Sequence, residues 1–199
     1  MKVKKANILP PENFIGSWYI PKNVCNNLIN FFKRNNELGN TNQGVFRRAN
    51  REAIIDKDIK ESIDLQLNSN NKEPEIFTYR TWLQHCLIDY VKTYPDVQKL
   101  NKFNIDEDFN IQYYKKGGGY KNFHMERGGL STIKRCFVFM TYLNDVKNGG
   151  TEFKYQKCIT PAKKGLTLIW PTDWMYMHKS QVSLVDEKYI ITGWYSFLE

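Results

Sequence analysis

The chain has 199 residues, carries 29 Lys and Arg against 21 Asp and Glu for a formal charge of +8, and is 15% aromatic. That aromatic and apolar content excludes a disordered or low-complexity chain, and the length suits one domain able to bury a core. No apolar run approaches the ~20 residues of a membrane helix. The basic start, Met1 to Asn7, leads into Ile8-Leu9-Pro10-Pro11 with no apolar secretory stretch, so a soluble, cytoplasmic protein is expected.

In chain order, residues 13–20 (NFIGSWYI) read as a strand. Pro21-Lys22-Asn23 opens a helix with Val24, Leu28, Phe31 and Phe32 at helical spacing, ending near Gly39. Residues 40–50 form a loop, residues 54–67 carry mixed charges, and residues 68–74 are a turn cluster. A second helix spans residues 77–91, where Trp82, Cys86 and Tyr90 recur four apart, with His85 an ordinary helix residue. The period then changes to β-branched and aromatic runs at 109–114, 131–143, 166–170 and 188–197, separated by glycines. Helices first and short strands afterwards predict an α+β chain whose second half is an antiparallel sandwich or barrel.

Composition directs little else to a partner. The basic residues never cluster beyond a pair, as in Arg47-Arg48 or Lys163-Lys164, and no nucleic-acid-binding signature is visible. The cysteines at 25, 86, 136 and 158 form no CxxC pair and read as small buried hydrophobes. Arg127 reads as a loop arginine facing solvent.

Histidine is scarce, with only His85, His124 and His178, so a two-histidine site must draw on these three. His124-Met125-Glu126 follows a probable strand, and residues i and i+2 of a strand share a face, so an imidazole and a carboxylate project together. His178 lies 52 residues later. Two histidines and one carboxylate on one face of a metal leave positions open, the donor set of non-haem Fe(II) oxygenases. Ten residues on, strand alternation places Lys188, Ile190, Thr192 and Trp194 on one face. A lysine in so apolar a row requires an anion. Cys136, Val138, Met140 and Tyr142 are likewise predicted to share a face.

These segments, with Tyr114 to Tyr120, Tyr142-Leu-Asn-Asp145, Gly149-Gly-Thr-Glu-Phe153 and Gly165 to Pro171, resemble the Fe(II)- and 2-oxoglutarate-dependent dioxygenases of the prolyl 4-hydroxylase-like group over about residues 108–199. The resemblance implies a mainly β double-stranded β-helix (jelly-roll) core supported by N-terminal helices. It implies one domain over 1–199, with 1–107 a helical support region and 108–199 the catalytic core. Iron would be bound by His124, Glu126 and His178. Lys188, assisted by Thr192 and Tyr142, would take the distal carboxylate of 2-oxoglutarate. Tyr114, with Tyr113 as the alternative, would reach its metal end, and Trp194 would wall the pocket. O2 is the oxidant, with ascorbate an optional reductant.

The implied reaction is hydroxylation of an unactivated C–H of an amino-acid side chain, in a peptide, a protein or a free metabolite. Residues 40–50, with Arg47, Arg48 and Arg51, and residues 115–122 are candidate substrate loops suited to an acidic partner. Two positions depart from the commonest pattern: the first motif is His-x-Glu in place of His-x-Asp, and position 188 is Lys where others carry Arg. A non-redox cupin-like metal module is an alternative that would not need Lys188, and a catalytically inactive jelly-roll binding protein would not need the triad. The oligomeric state is left open.

Overall fold

The computed structural model describes residues 2–47 and 53–198. The first part of the chain holds β1 (Lys4–Lys5), β2 (Gly16–Tyr19), α1 (Lys22–Glu37), β3 (Asn42–Gln43), β4 (Phe46–Arg47), β5 (Ala53–Ile54), β6 (Lys60–Glu61), β7 (Ile63–Leu67), α2 (Pro74–Thr93) and β8 (Phe103–Asn104). The second part is strands: β9 (Phe109–Tyr114), β10 (Gly119–Tyr120), β11 (Arg135–Tyr142), β12 (Val146–Phe153), β13 (Cys158–Ala162), β14 (Leu166–Pro171), β15 (His178–Ser180) and β16 (Lys188–Phe197).

The largest sheet has nine strands in the order β1-β2-β14-β11-β16-β9-β7-β3, with β8 paired to β16; a second runs β13-β12-β15, and β10-β6 and β4-β5 are two-stranded. Every pairing is antiparallel. This is the mainly β, jelly-roll architecture with supporting helices. Region 1–107 supplies more than helices, because β2 pairs with β14 and β7 with β9, extending the large sheet on both sides.

Alternation along the strands builds two cores. Phe137 and Phe139 of β11, Ile169 of β14 and Ile191 and Tyr195 of β16 face the helices and pack with Leu28, Phe31, Ile76, Tyr79 and Leu83. Their neighbours Val138, Met140, Tyr142, Leu168, Trp170 and Ile190 face the other way and meet Phe153, Ala162 and Tyr176 in the interior. The helix-facing layer also contains a buried hydroxyl ladder, Tyr79 to Thr141 to Thr167. Cys136 departs from the expected face. The pairing of β11 with β16 shifts register between Arg135 and Phe137, and this bulge turns Cys136 into the helix-facing core.

The helix stripes follow from spacing. Val24, Leu28, Phe31 and Phe32 are all buried in α1, whose end is marked by Gly39 at φ 76°. In α2 the buried stripe is Ile76, Tyr79, Leu83, Cys86, Leu87 and Tyr90, so Trp82 sits at its edge and Phe77 is exposed. Among the described residues no helix is long and apolar enough to cross a membrane. All four cysteines are free thiols, three of them buried.

Candidate metal and co-substrate site

Between the sheets lies a cavity of about 1090 Å³, lined among others by His124, Glu126, His178, Tyr114, Tyr142, Lys188, Thr192 and Trp194. Each residue singled out from the sequence for metal or co-substrate, except the alternative Tyr113, therefore reaches one space.

His124 and Glu126 sit on irregular backbone, not on the regular strand expected. β10 stops at Tyr120, and His124 makes an isolated antiparallel bridge with His178. The two residues exchange both backbone bonds, His124 N–H to His178 O at 3.0 Å and His178 N–H to His124 O at 2.9 Å. The amides of Glu126 and Arg127 both donate to Thr172 O, so the loop carrying Glu126 is tied to the segment leading into His178. Arg127 does not face open solvent: its guanidinium holds Asp173 through Nε at 3.1 Å and Nη2 at 2.5 Å, joining the same two segments.

The ligating atoms of His124, Glu126 and His178 lie within 4.8 Å of one another. Glu126 Oε1 is 3.5 Å from each Nε2. His124 Nδ1 lies 3.1 Å from Asn122 O, and His178 Nδ1 lies 2.9 Å from Tyr176 O. A carbonyl oxygen can only accept, so each Nδ1 carries the proton and each Nε2 is turned to the centre. Tyr120 stacks on His124 with ring centroids 3.8 Å apart, while Phe153 and Trp170 enclose His178.

Burial, then the neighbouring His124, pushes the His178 imidazole below its ordinary value and favours the neutral, ligating ring. Burial opposes ionisation of Glu126, but wherever the facing Nε2 atoms carry protons, their hydrogen bonds and charge hold its carboxyl well below the usual carboxylate range. A carboxylate shared by two imidazoles is a cation site: a divalent ion supplies the charge that a proton must otherwise supply.

Lys188 opens β16 opposite Tyr114 and is 4% exposed. Its Nζ donates to Gly149 O at 3.1 Å, to Gln181 O at 3.2 Å and to Ser180 Oγ, and lies 5.0 Å from the Tyr114 ring centre. Among the described residues no carboxylate pairs with it, and burial pushes the ammonium down to about 8. The Tyr142 hydroxyl shares hydrogen bonds with Thr151 Oγ1 (2.6 Å) and Thr160 Oγ1 (3.1 Å), and burial pushes its phenol up to about 12. Thr192 Oγ1 donates to Phe139 O at 3.0 Å. An uncompensated buried cation flanked by phenol and hydroxyl groups suits a carboxylate.

Of the two candidate tyrosines, Tyr114 is the one lining the cavity, with its hydroxyl on Gln112 Oε1 at 2.6 Å. Tyr113 points to the opposite face, packs on Phe32 and Tyr189, and donates to Glu187 at 2.8 Å. Trp194 does more than line the space: its indole N–H donates to Glu126 Oε2 at 3.0 Å.

Sequence reading missed Ser180, Thr151, Thr160, Asp173 and the Arg135–Glu107 pair. Ser180 alone carried a signal, since it lies two residues past His178 and so on the same strand face. Of the candidate substrate loops, Asn42, Gln43, Val45, Phe46 and Tyr120 border the cavity, whereas Arg48 and Arg51 lie outside the described residues.

Residues 109–196 match the family model of the 2OG-Fe(II) oxygenase superfamily. No curated protein sequence matches the chain significantly. Among solved structures, the fold is similar to a Pseudomonas putida prolyl-4-hydroxylase, at 12% identity and TM-score 0.67 over 94% of both chains. It is similar to a viral collagen prolyl hydroxylase from Paramecium Bursaria Chlorella virus-1 in a 2OG complex, at 16% identity and TM-score 0.69 over 93% of this chain and 97% of that one. A Trichoplax adhaerens prolyl hydroxylase in complex with a hypoxia inducible factor peptide fragment matches at 14% identity and TM-score 0.71, over 92% and 84%. The superfamily brings with it Fe(II), 2-oxoglutarate and O2, which defines the enzyme class as a 2-oxoglutarate-dependent dioxygenase. Residues 109–196 thus match the 2OG-Fe(II) oxygenase superfamily, and the chain has a prolyl hydroxylase-like fold.

Proposed function

We propose that the chain hydroxylates an amino-acid side chain, in the manner of prolyl hydroxylases, in a peptide, a protein or a free amino-acid-like metabolite. The observation that carries this reading is one cavity holding both a three-donor cluster, His124, Glu126 and His178, and a buried lysine with no carboxylate partner among the described residues. His124, Glu126 and His178 would hold Fe(II), an assignment suited to two imidazoles and one carboxylate. Lys188 would receive the distal carboxylate of 2-oxoglutarate, with Tyr142 and Thr192 beside it and Tyr114 nearer the metal. The whole chain, 1–199, acts as one domain with 108–199 as its core, since strands from both parts share the large sheet.

Held there, Fe(II) would let O2 act as the oxidant, one oxygen atom going to the C–H to give C–OH and the other to 2-oxoglutarate, which would leave as succinate and CO2. The residues of the chain do the rest. The Nδ1–H bonds to Asn122 O and Tyr176 O orient both imidazoles before any ligand arrives. Lys188 orients the co-substrate from its far end, and the enclosing Phe153, Trp170 and Tyr176 keep water from the buried side. Asn42, Gln43 and Phe46 border the open end and would meet the substrate.

The test is to incubate the Fe(II)-loaded protein with 2-oxoglutarate and O2 against proline-containing peptides and free amino acids, reading product mass. The expected result is addition of one oxygen atom to one class, absent without 2-oxoglutarate. If no class gains oxygen while 2-oxoglutarate is still turned over, the amino-acid side-chain assignment is wrong.

A further inference from the structure

We infer that Trp194, braced by Arg135, is a positioning residue that presents Glu126 to the metal through one oxygen only. The inference rests on the metal assignment just proposed and adds a role that a pocket wall would not have. A wall needs only the indole ring; here the indole N–H is aimed at a carboxylate. The two oxygens of Glu126 have separate surroundings: Oε1 is 3.5 Å from both Nε2 atoms, while Oε2 accepts from Trp194 Nε1 at 3.0 Å and lies 3.7 Å from Arg135 Nη1.

Glutamate makes this arrangement necessary. Its side chain has one more rotatable bond than aspartate, so an unrestrained carboxylate at 126 could turn away from the histidines or bind a cation through both oxygens. An N–H donor fixed on Oε2 opposes both, holding the head group in place and drawing Oε2 away from a cation bound at Oε1. Trp194 is itself placed by the sheet, directly opposite Val138 of β11.

Arg135 holds the indole from above, with its guanidinium carbon 3.5 Å from the ring centre. The same guanidinium donates to the backbone carbonyl of Glu126 at 3.2 Å, so one side chain fixes both the main chain and the head group of the ligand. It is clamped in turn by Glu107, through Nε at 2.9 Å and Nη2 at 2.7 Å, and Ser196 donates to Glu107 at 2.6 Å. The bulge after Arg135 aims it this way. The network therefore runs Ser196, Glu107, Arg135, Trp194, Glu126, and of these only Glu126 belongs to the three-donor cluster.

The experiment is anaerobic titration of the full chain with Co(II), followed by its visible absorption, alongside thermal unfolding. Trp194→Phe keeps a ring and deletes the N–H; Arg135→Lys keeps the charge and deletes the planar fork. Losing an outer-shell partner of a metal ligand weakens metal binding by about 10–100-fold. The expected result is at least tenfold weaker Co(II) binding in Trp194→Phe, with a changed ligand-field spectrum because the freed carboxylate can bind through both oxygens. Arg135→Lys should shift the spectrum the same way, and it decides the matter if Trp194→Phe does not fold. Folded variants that bind Co(II) within twofold of wild type, with its spectrum, overturn the positioning role and leave the proposed function standing. A wild-type chain that takes up neither Co(II) nor Fe(II) overturns both.

Discussion

Replacing Lys188 by methionine keeps the length of the side chain and deletes its charge, which isolates what the ammonium does. Lys188 is 4% exposed and its ammonium is pushed from 10.5 to about 8 by burial. That displacement means that burial disfavours the charged form by about 3 kcal/mol. A carboxylate arriving beside Nζ offsets that penalty, and it would lose its counter-charge in Lys188→Met. Losing about 3 kcal/mol corresponds to affinity for 2-oxoglutarate falling by about 100-fold.

The assay is calorimetric titration of 2-oxoglutarate into Mn(II)-loaded protein, wild type and variant, across pH 6.5–9.5. The wild type carries its proton below about pH 8, so binding is at full strength there. As pH rises through about 8 the free lysine deprotonates and affinity falls, by at most about tenfold per pH unit. Lys188→Met should be weak and flat across this window. A variant that binds within threefold of wild type, or a wild type with no decline above pH 8, would refute the assignment of Lys188 to the co-substrate.

Other expectations follow from the same geometry. Tyr142→Phe removes a hydroxyl shared with Thr151 and Thr160, and should weaken 2-oxoglutarate binding by about 1 kcal/mol, roughly fivefold, in the same titration. At Gly193 an added Cβ would meet Phe109 Cβ at 2.5 Å and the Phe139 ring at 2.6 Å, so Gly193→Ala should destabilise the chain by about 1–3 kcal/mol in denaturant unfolding. Unchanged stability would contradict the close packing of β16 on β9 and β11. Arg127→Met breaks an ion pair that is about one-third exposed, so stability should fall by less than about 1 kcal/mol. Co(II) affinity should fall several-fold, because the pair joins the two ligand-bearing segments.

Much of this site was legible in the sequence because its signals are local. The alternation from Lys188 to Trp194 needs no knowledge of the rest of the chain, whereas His124 and Glu126, though two apart as on a strand, are brought together on irregular backbone tied to His178 and Thr172. The bounds of β9 and β16 and the buried stripe of α1 followed from period alone. What stayed hidden depends on contacts between distant segments. β12 and β13 are broken by Asn148-Gly149-Gly150 and by Pro161, so they lack the β-branched run that marks a strand. The edge strand β15 has only three residues. Arg127 and Asp173 are 46 residues apart, and only the antiparallel bridge between His124 and His178 makes them neighbours. A bulge, such as the one that moves Cys136 across the sheet, has no mark in the alternation it interrupts.

The central claim, that His124, Glu126 and His178 form an Fe(II) centre serving 2-oxoglutarate, is tested most directly by O2-dependent succinate formation from 2-oxoglutarate with Fe(II). Wild type and His178→Ala should be compared at matched folding, with candidate peptides present. The account predicts succinate from the wild type and at least a 100-fold loss in His178→Ala. A wild type that forms no succinate, or a variant that forms it at the wild-type rate, would contradict it.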